Sequence, residues 1–109
     1  MSRVLTISRV VVPPEHEAEY VRTVHQLAEL ARGRAQHLWL FRSEVLPGSY
    51  IEFSEGPSEI AHRSRASRTG VEERLEQRLR ELAEYQPGAW DLWSEVPAPG
   101  RSDSTAGQT

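Results

Sequence analysis

The hydrophobic positions of this chain fall into six runs whose period alternates between strand and helix. Arg3 to Val12 is rich in Val, Leu, Ile and Thr and reads as a first strand, ended by Pro13 and Pro14. Proline suits the first turn of a helix, where its missing N–H is not needed, and the helix is expected over 14–32. Tyr20, Val21, Val24, Leu27, Ala28 and Ala31 recur there at helical spacing, with Glu15, Glu17 and Glu19 at the N-terminal end of the dipole and Gly33 as the stop.

Gln36 to Val45 and Ser49 to Glu55 read as the second and third strands. Leu46-Pro47-Gly48-Ser49 between them carries a Pro-Gly turn signal, so the two are expected to form an antiparallel hairpin. With Pro47 and Gly48 in the turn, Val45 faces Tyr50, Ser43 faces Glu52 and Phe41 faces Ser54. Alternation then gathers His37, Trp39, Phe41, Ser43, Tyr50 and Glu52 on one face, and Leu38, Leu40, Arg42, Ile51 and Phe53 on the other. Both faces are substantially apolar, so each needs a cover.

Gly56-Pro57-Ser58 leads into a second helical region, with Ser58 as its N-cap and a break at Thr69-Gly70. Val71, Leu75, Leu79 and Leu82 make its apolar stripe, and Gln86-Pro87-Gly88 ends it. Ala89 to Val96 reads as a fourth strand. From there the chain is rich in Pro, Gly, Ser, Asp and Thr with no large apolar anchor, so 1–97 is expected as one domain and 98–109 as a disordered tail.

The order strand, helix, strand, strand, helix, strand specifies an α+β, ferredoxin-like βαββαβ antiparallel sheet. Right-handed crossovers put both helices on one face of such a sheet. The other face stays open and apolar, and the simplest closure is a homodimer joined through it.

Composition removes chemistries more than it adds them. The 109 residues contain no cysteine, which excludes disulfides and thiolate nucleophiles. All 13 basic side chains are arginine, so neither Schiff-base chemistry through a lysine side chain nor a Walker lysine is available. A formal charge of −3 with interspersed signs argues against nucleic-acid binding, and no apolar run is long enough to span a membrane. No signal-peptide profile is present, so the expected location is cytoplasmic. His16 and His25 are nine residues apart on one helix, so no metal site is expected.

The strand-then-Pro-Pro helix start, the hairpin LWLFRSEVLPGSYIEFSEGPS and the His62 of SEIAHRS resemble the dimeric α+β barrel superfamily that includes antibiotic-biosynthesis monooxygenases. Two positions depart from that pattern. Ser54-Glu55-Gly56-Pro57 stands where a tryptophan is usual, and Arg65 and Ala66 stand where a second histidine is frequent. The resemblance implies a pocket between sheet and helices and a small enzyme that needs no cofactor, of monooxygenase, isomerase or cyclase type, acting on an aromatic or polyketide-like molecule. The acid or base would be Glu52 or His62: an acid held among aromatics loses solvation and becomes able to exchange a proton near neutral pH. His37, Trp39, Phe41, Ser43, Tyr50 and Trp90 would line the substrate site. The alternatives are a dimer that binds a small molecule or is purely structural, and a haem protein with His62 as axial ligand.

Overall fold

The computed structural model describes residues 4–33, 36–56 and 70–99. β1 (Val4–Val11) runs into a short 3₁₀ turn (Pro14–His16) and then α1 (Glu17–Arg32). β2 (His37–Arg42) and β3 (Ser49–Gly56) form the hairpin, and α2 (Gly70–Leu82) follows. The chain closes with two very short strands, β4 (Glu84–Tyr85) and β5 (Trp93–Ser94). The sheet is antiparallel in the order β2-β3-β1-β4, with β5 also on β1. This is the ferredoxin-like arrangement expected from the order of the runs.

Pairing of β1 with β3 sets Val10 opposite Tyr50, Ser8 opposite Glu52 and Val4 opposite Gly56. These positions share the face that meets the helices. The core forms where Val10, Val12 and Tyr50 of the sheet side receive Tyr20, Val24 and Leu27 of α1 and Leu79 and Leu82 of α2. Apolar side chains at intervals of three and four make α1 bind through one stripe. Arg78 of α2 ties the helices together by donating from Nε to Glu19 Oε2 at 2.7 Å and from Nη2 to Oε1 at 2.9 Å. In α2 the buried stripe opens on Glu72, seven residues before Leu79, while Val71 is exposed.

The hairpin register differs from the expected one, and the difference reverses its faces. Leu40 pairs with Glu52, Phe41 with Ile51 and Arg42 with Tyr50. The connection is not a two-residue Pro-Gly turn but a six-residue loop. β2 stops at Arg42, and Ser43 Oγ accepts hydrogen bonds from the N–H groups of Val45 (3.1 Å) and Leu46 (2.9 Å). Ser43 N–H then closes the loop on Ser49 O at 2.9 Å. Gly48 turns at φ +80° and its carbonyl accepts from Val12 N–H at 2.8 Å. The register moves by three residues, and any odd shift sends every side chain of a strand to the opposite face.

The fourth strand is also shorter than expected, and a second piece precedes it. Gln86 N–H still bonds Arg9 O at 2.9 Å, but Pro87 has no N–H to give and Gly88, at φ +82°, turns the chain off the sheet. Ala89 to Leu92 bridges outside β1 before Trp93 rejoins it opposite Leu5. Ser58, the arginine-rich stretch before Gly70, and all but the first two residues of the expected tail lie outside the described residues.

Candidate functional site

All three tyrosines of the chain come together on the helix-facing side of the sheet. Tyr20 enters from the second turn of α1, Tyr50 stands at the start of β3, and Tyr85 arrives on β4 opposite Val10. The rings of Tyr20 and Tyr50 meet at 5.1 Å, tilted by 55°. Glu52 lies two residues along β3 from Tyr50 and therefore points to the same face.

Glu52 is buried, at 7 % exposure, among these rings. Tyr20 donates its hydroxyl to Glu52 Oε2 at 2.8 Å, and Tyr85 donates to the same oxygen at 2.5 Å. The Tyr85 bond lies in the range of charge-assisted O–H···O bonds, and the Tyr20 bond in the ordinary range. Neither phenol addresses Oε1. Burial pushes the Glu52 carboxyl above its ordinary value, and the hydrogen bonds from Tyr85 and Tyr20 pull it part of the way back. Tyr20 and Tyr85 are both driven far upward, by burial first and by the adjacent Glu52 second, so both remain neutral phenols. Tyr50 is raised as well, by burial and then by its bond to Glu17, where its hydroxyl donates to Oε2 at 2.9 Å.

This cluster holds one acid whose charge is disfavoured by burial and two donors that stabilise that charge when it forms. Such a group can exchange a proton under mild conditions. Tyr20 is completely buried, whereas Tyr85 is partly exposed. Trp90, 56 % exposed on the bridging segment, packs on the Tyr85 ring with centroids 5.0 Å apart and planes 31° apart. That segment is anchored from beneath, since the buried Ser8 Oγ donates to Ala89 O at 2.6 Å.

Only part of the expected lining gathers here. Tyr50 and Glu52 share a face, and Trp90 reaches the cluster through Tyr85, although from a turn and not from a strand. His37, Trp39 and Phe41 do not join them. The three-residue register shift places these side chains on the open face, with Ile51 and Phe53. There His37 stacks on Trp39 at 5.7 Å and Trp39 meets Phe53 at 5.8 Å. Ser43 is spent on its own loop. His62 lies outside the described residues. Two members of the cluster, Tyr20 and Tyr85, were not among the sequence candidates. A signal for Tyr20 existed: a phenol inside the apolar stripe of a helix must bring its hydroxyl to a buried partner.

Among the described residues no group of three or more His, Asp or Glu side chains is placed to hold a metal ion, and no helix is long and apolar enough to cross a membrane. A cleft of about 420 Å³ opens near the end of β1, with Val11, Pro13, His16, Arg80 and Glu84 in its wall, away from Glu52.

No protein-family model matches the chain, and no curated protein matches it in sequence. Solved structures do match in fold. A conserved protein of unknown function from Bacteroides thetaiotaomicron superposes with TM-score 0.70 at 12% identity, over 86% of this chain and 96% of its own. A structure of an antibiotic biosynthesis monooxygenase gives 0.66 at 18% identity, over 91% of this chain and 100% of its own. A variant of SnoaB, a cofactor-independent oxygenase from Streptomyces nogalater, gives 0.67 at 18% identity, over 93% and 98%. The chain thus has the ferredoxin-like α+β fold of antibiotic-biosynthesis-monooxygenase structures, and at these identities the likeness is one of fold.

Proposed function

We propose that this chain is a small cofactor-independent enzyme that removes a proton from an aromatic or polyketide-like substrate, with Glu52 as the base. The observation that carries this reading is the buried Glu52 carboxylate held by two phenolic hydroxyls and by no arginine among the described residues. An ion-paired glutamate would be locked in its charged form, whereas one solvated only by neutral phenols can pass between its two states. The substrate supplies the electron density: a phenol or an enolisable ketone loses a proton to Glu52 and becomes a stabilised anion. That anion reacts with oxygen in the monooxygenase case, or is reprotonated or closed on itself in the isomerase and cyclase cases. Trp90 is an aromatic surface for the substrate beside the cluster. The fold shared with SnoaB supports the class of chemistry.

The enzyme works as a homodimer joined through the open sheet face. Trp39, Phe41, Ile51 and Trp93 leave large apolar surfaces on that face, which a second copy would cover.

A second reading has its own support. Oε2 already accepts two hydrogen bonds inside the core, and such a buried polar cluster can serve fold specificity alone. The chain would then be a non-catalytic dimer, either binding a small molecule or purely structural. Deuterium uptake into 2-tetralone, followed by proton NMR, separates the two readings, with oxygen consumption recorded on 2-tetralone and 1-naphthol in parallel. Catalysed exchange that falls roughly 100-fold or more in Glu52→Gln supports the enzyme. Exchange at the buffer rate, or exchange indifferent to Glu52→Gln, favours the non-catalytic dimer.

A further inference from the structure

We infer that Tyr85 is the proton conduit of the cluster, passing protons between the buried Glu52 carboxylate and a group bound against Trp90. The inference rests on the reading of Glu52 as a base and adds the route by which that base is reached. Two phenols contact Oε2, but their surroundings differ. Tyr20 is sealed between α1 and the sheet with no exposed surface. Tyr85 sits on the two-residue β4 at the sheet edge and keeps part of its surface in solvent. Its far side is covered by Trp90, itself more than half exposed. Glu52 has little surface of its own, so among the described residues Tyr85 is the hydrogen-bonded partner that connects it to the exterior.

The relay balances without an external reagent. A proton leaves the substrate for the Tyr85 phenolic oxygen as the Tyr85 O–H proton moves to Glu52 Oε2 across the 2.5 Å bond. Glu52 changes from carboxylate to carboxylic acid, the substrate becomes an anion, and Tyr85 is a neutral phenol before and after. The concerted form avoids a free tyrosinate, whose charge burial at this position disfavours. Tyr20 is a positioning residue that keeps the carboxyl group turned towards Tyr85. Among the described residues, the titratable partners of Glu52 come from α1 (Tyr20) and β4 (Tyr85), with Ser8 of β1 opposite it in the sheet and committed to Ala89 O.

Tyr20→Phe and Tyr85→Phe each remove one donor from the same oxygen, so a purely structural role makes them equivalent. The readout is the carbon-13 resonance of the labelled Glu52 side-chain carboxyl through a pH titration, which requires no substrate. The expected result is one averaged line in wild type and in Tyr20→Phe, and two separate lines for the acid and the carboxylate in Tyr85→Phe, because proton entry becomes slow. An averaged line in Tyr85→Phe would overturn the relay, as would separate lines in both variants. Failure of wild type to exchange deuterium into 2-tetralone removes the enzyme reading instead, and leaves the line-shape result to decide the conduit separately.

Discussion

Glu52 shows how one buried side chain can set the pH dependence of the stability of a small domain. Its carboxyl is raised by burial, so the folded state holds the proton more tightly than the unfolded chain does. Below the ordinary value of 4.5 both states are protonated and this contribution is fully present; it is lost as pH rises through the folded value. The stability of wild type relative to Glu52→Gln should therefore decline as the pH is taken upward from about 4.5 and then level off, as read by urea unfolding at a series of pH values. Glutamine keeps an acceptor for both phenols. Glu52→Ala does not, and leaving the Tyr20 and Tyr85 hydroxyls without that acceptor should cost about 2–4 kcal/mol at acidic pH. That Glu52 shares a face with Tyr50 was legible from strand alternation, but its hydrogen-bond partners were not. Pairing an acid on β3 with phenols from α1 and β4 depends on contacts between segments more than thirty residues apart, which local periodicity does not encode.

At the scale of elements, the sequence specified their order well and their register poorly. The apolar stripe of α1, the Pro-Pro helix entry and the two hairpin strands stand close to where the pattern places them. The hairpin faces were reversed because Pro47-Gly48 is a strong turn signal that here forms only the end of a longer loop. Ser43 decides the matter by folding its hydroxyl onto the next backbone amides, a local alternative to strand continuation. Gly48 completes the loop, and a Cβ there would meet Val12 O at 2.7 Å. Gly48→Ala should destabilise the fold by about 1–3 kcal/mol, measurable by thermal or urea denaturation. The bridging segment after β4 has an analogous pin. Ser8→Ala removes the bond to Ala89 O and should cost about 1–3 kcal/mol, with a change in Trp90 fluorescence reporting the loosened segment.

For the whole molecule, the decisive asymmetry is between the two sheet faces. One is sealed by α1 and α2, while the other carries His37 stacked on Trp39, Phe53 tilted against Trp39, and Ile51 and Phe41 beside them. That a face would be left open followed from counting two helices against a four-stranded sheet, and the corrected register makes the open face more aromatic than expected. Phe41→Asp places an unpaired charge on this surface without touching the core. Sedimentation should show wild type at twice the mass of the variant, while both give the same far-UV circular dichroism. Equal masses would remove the sheet-to-sheet dimer.

The divided outer edge of β1 has a further consequence. A long, uninterrupted border strand offers a row of free amides and carbonyls on which other chains can polymerise. Here β4 occupies one end of β1 and β5 the other, each with a two-residue register, and the intervening stretch is spanned by Pro87, Gly88 and a side-chain anchor. No continuous ladder is presented to a newcomer on this border. The departure from regular strand geometry that carries Trp90 to Tyr85 thus also leaves that side without an unbroken template for strand addition.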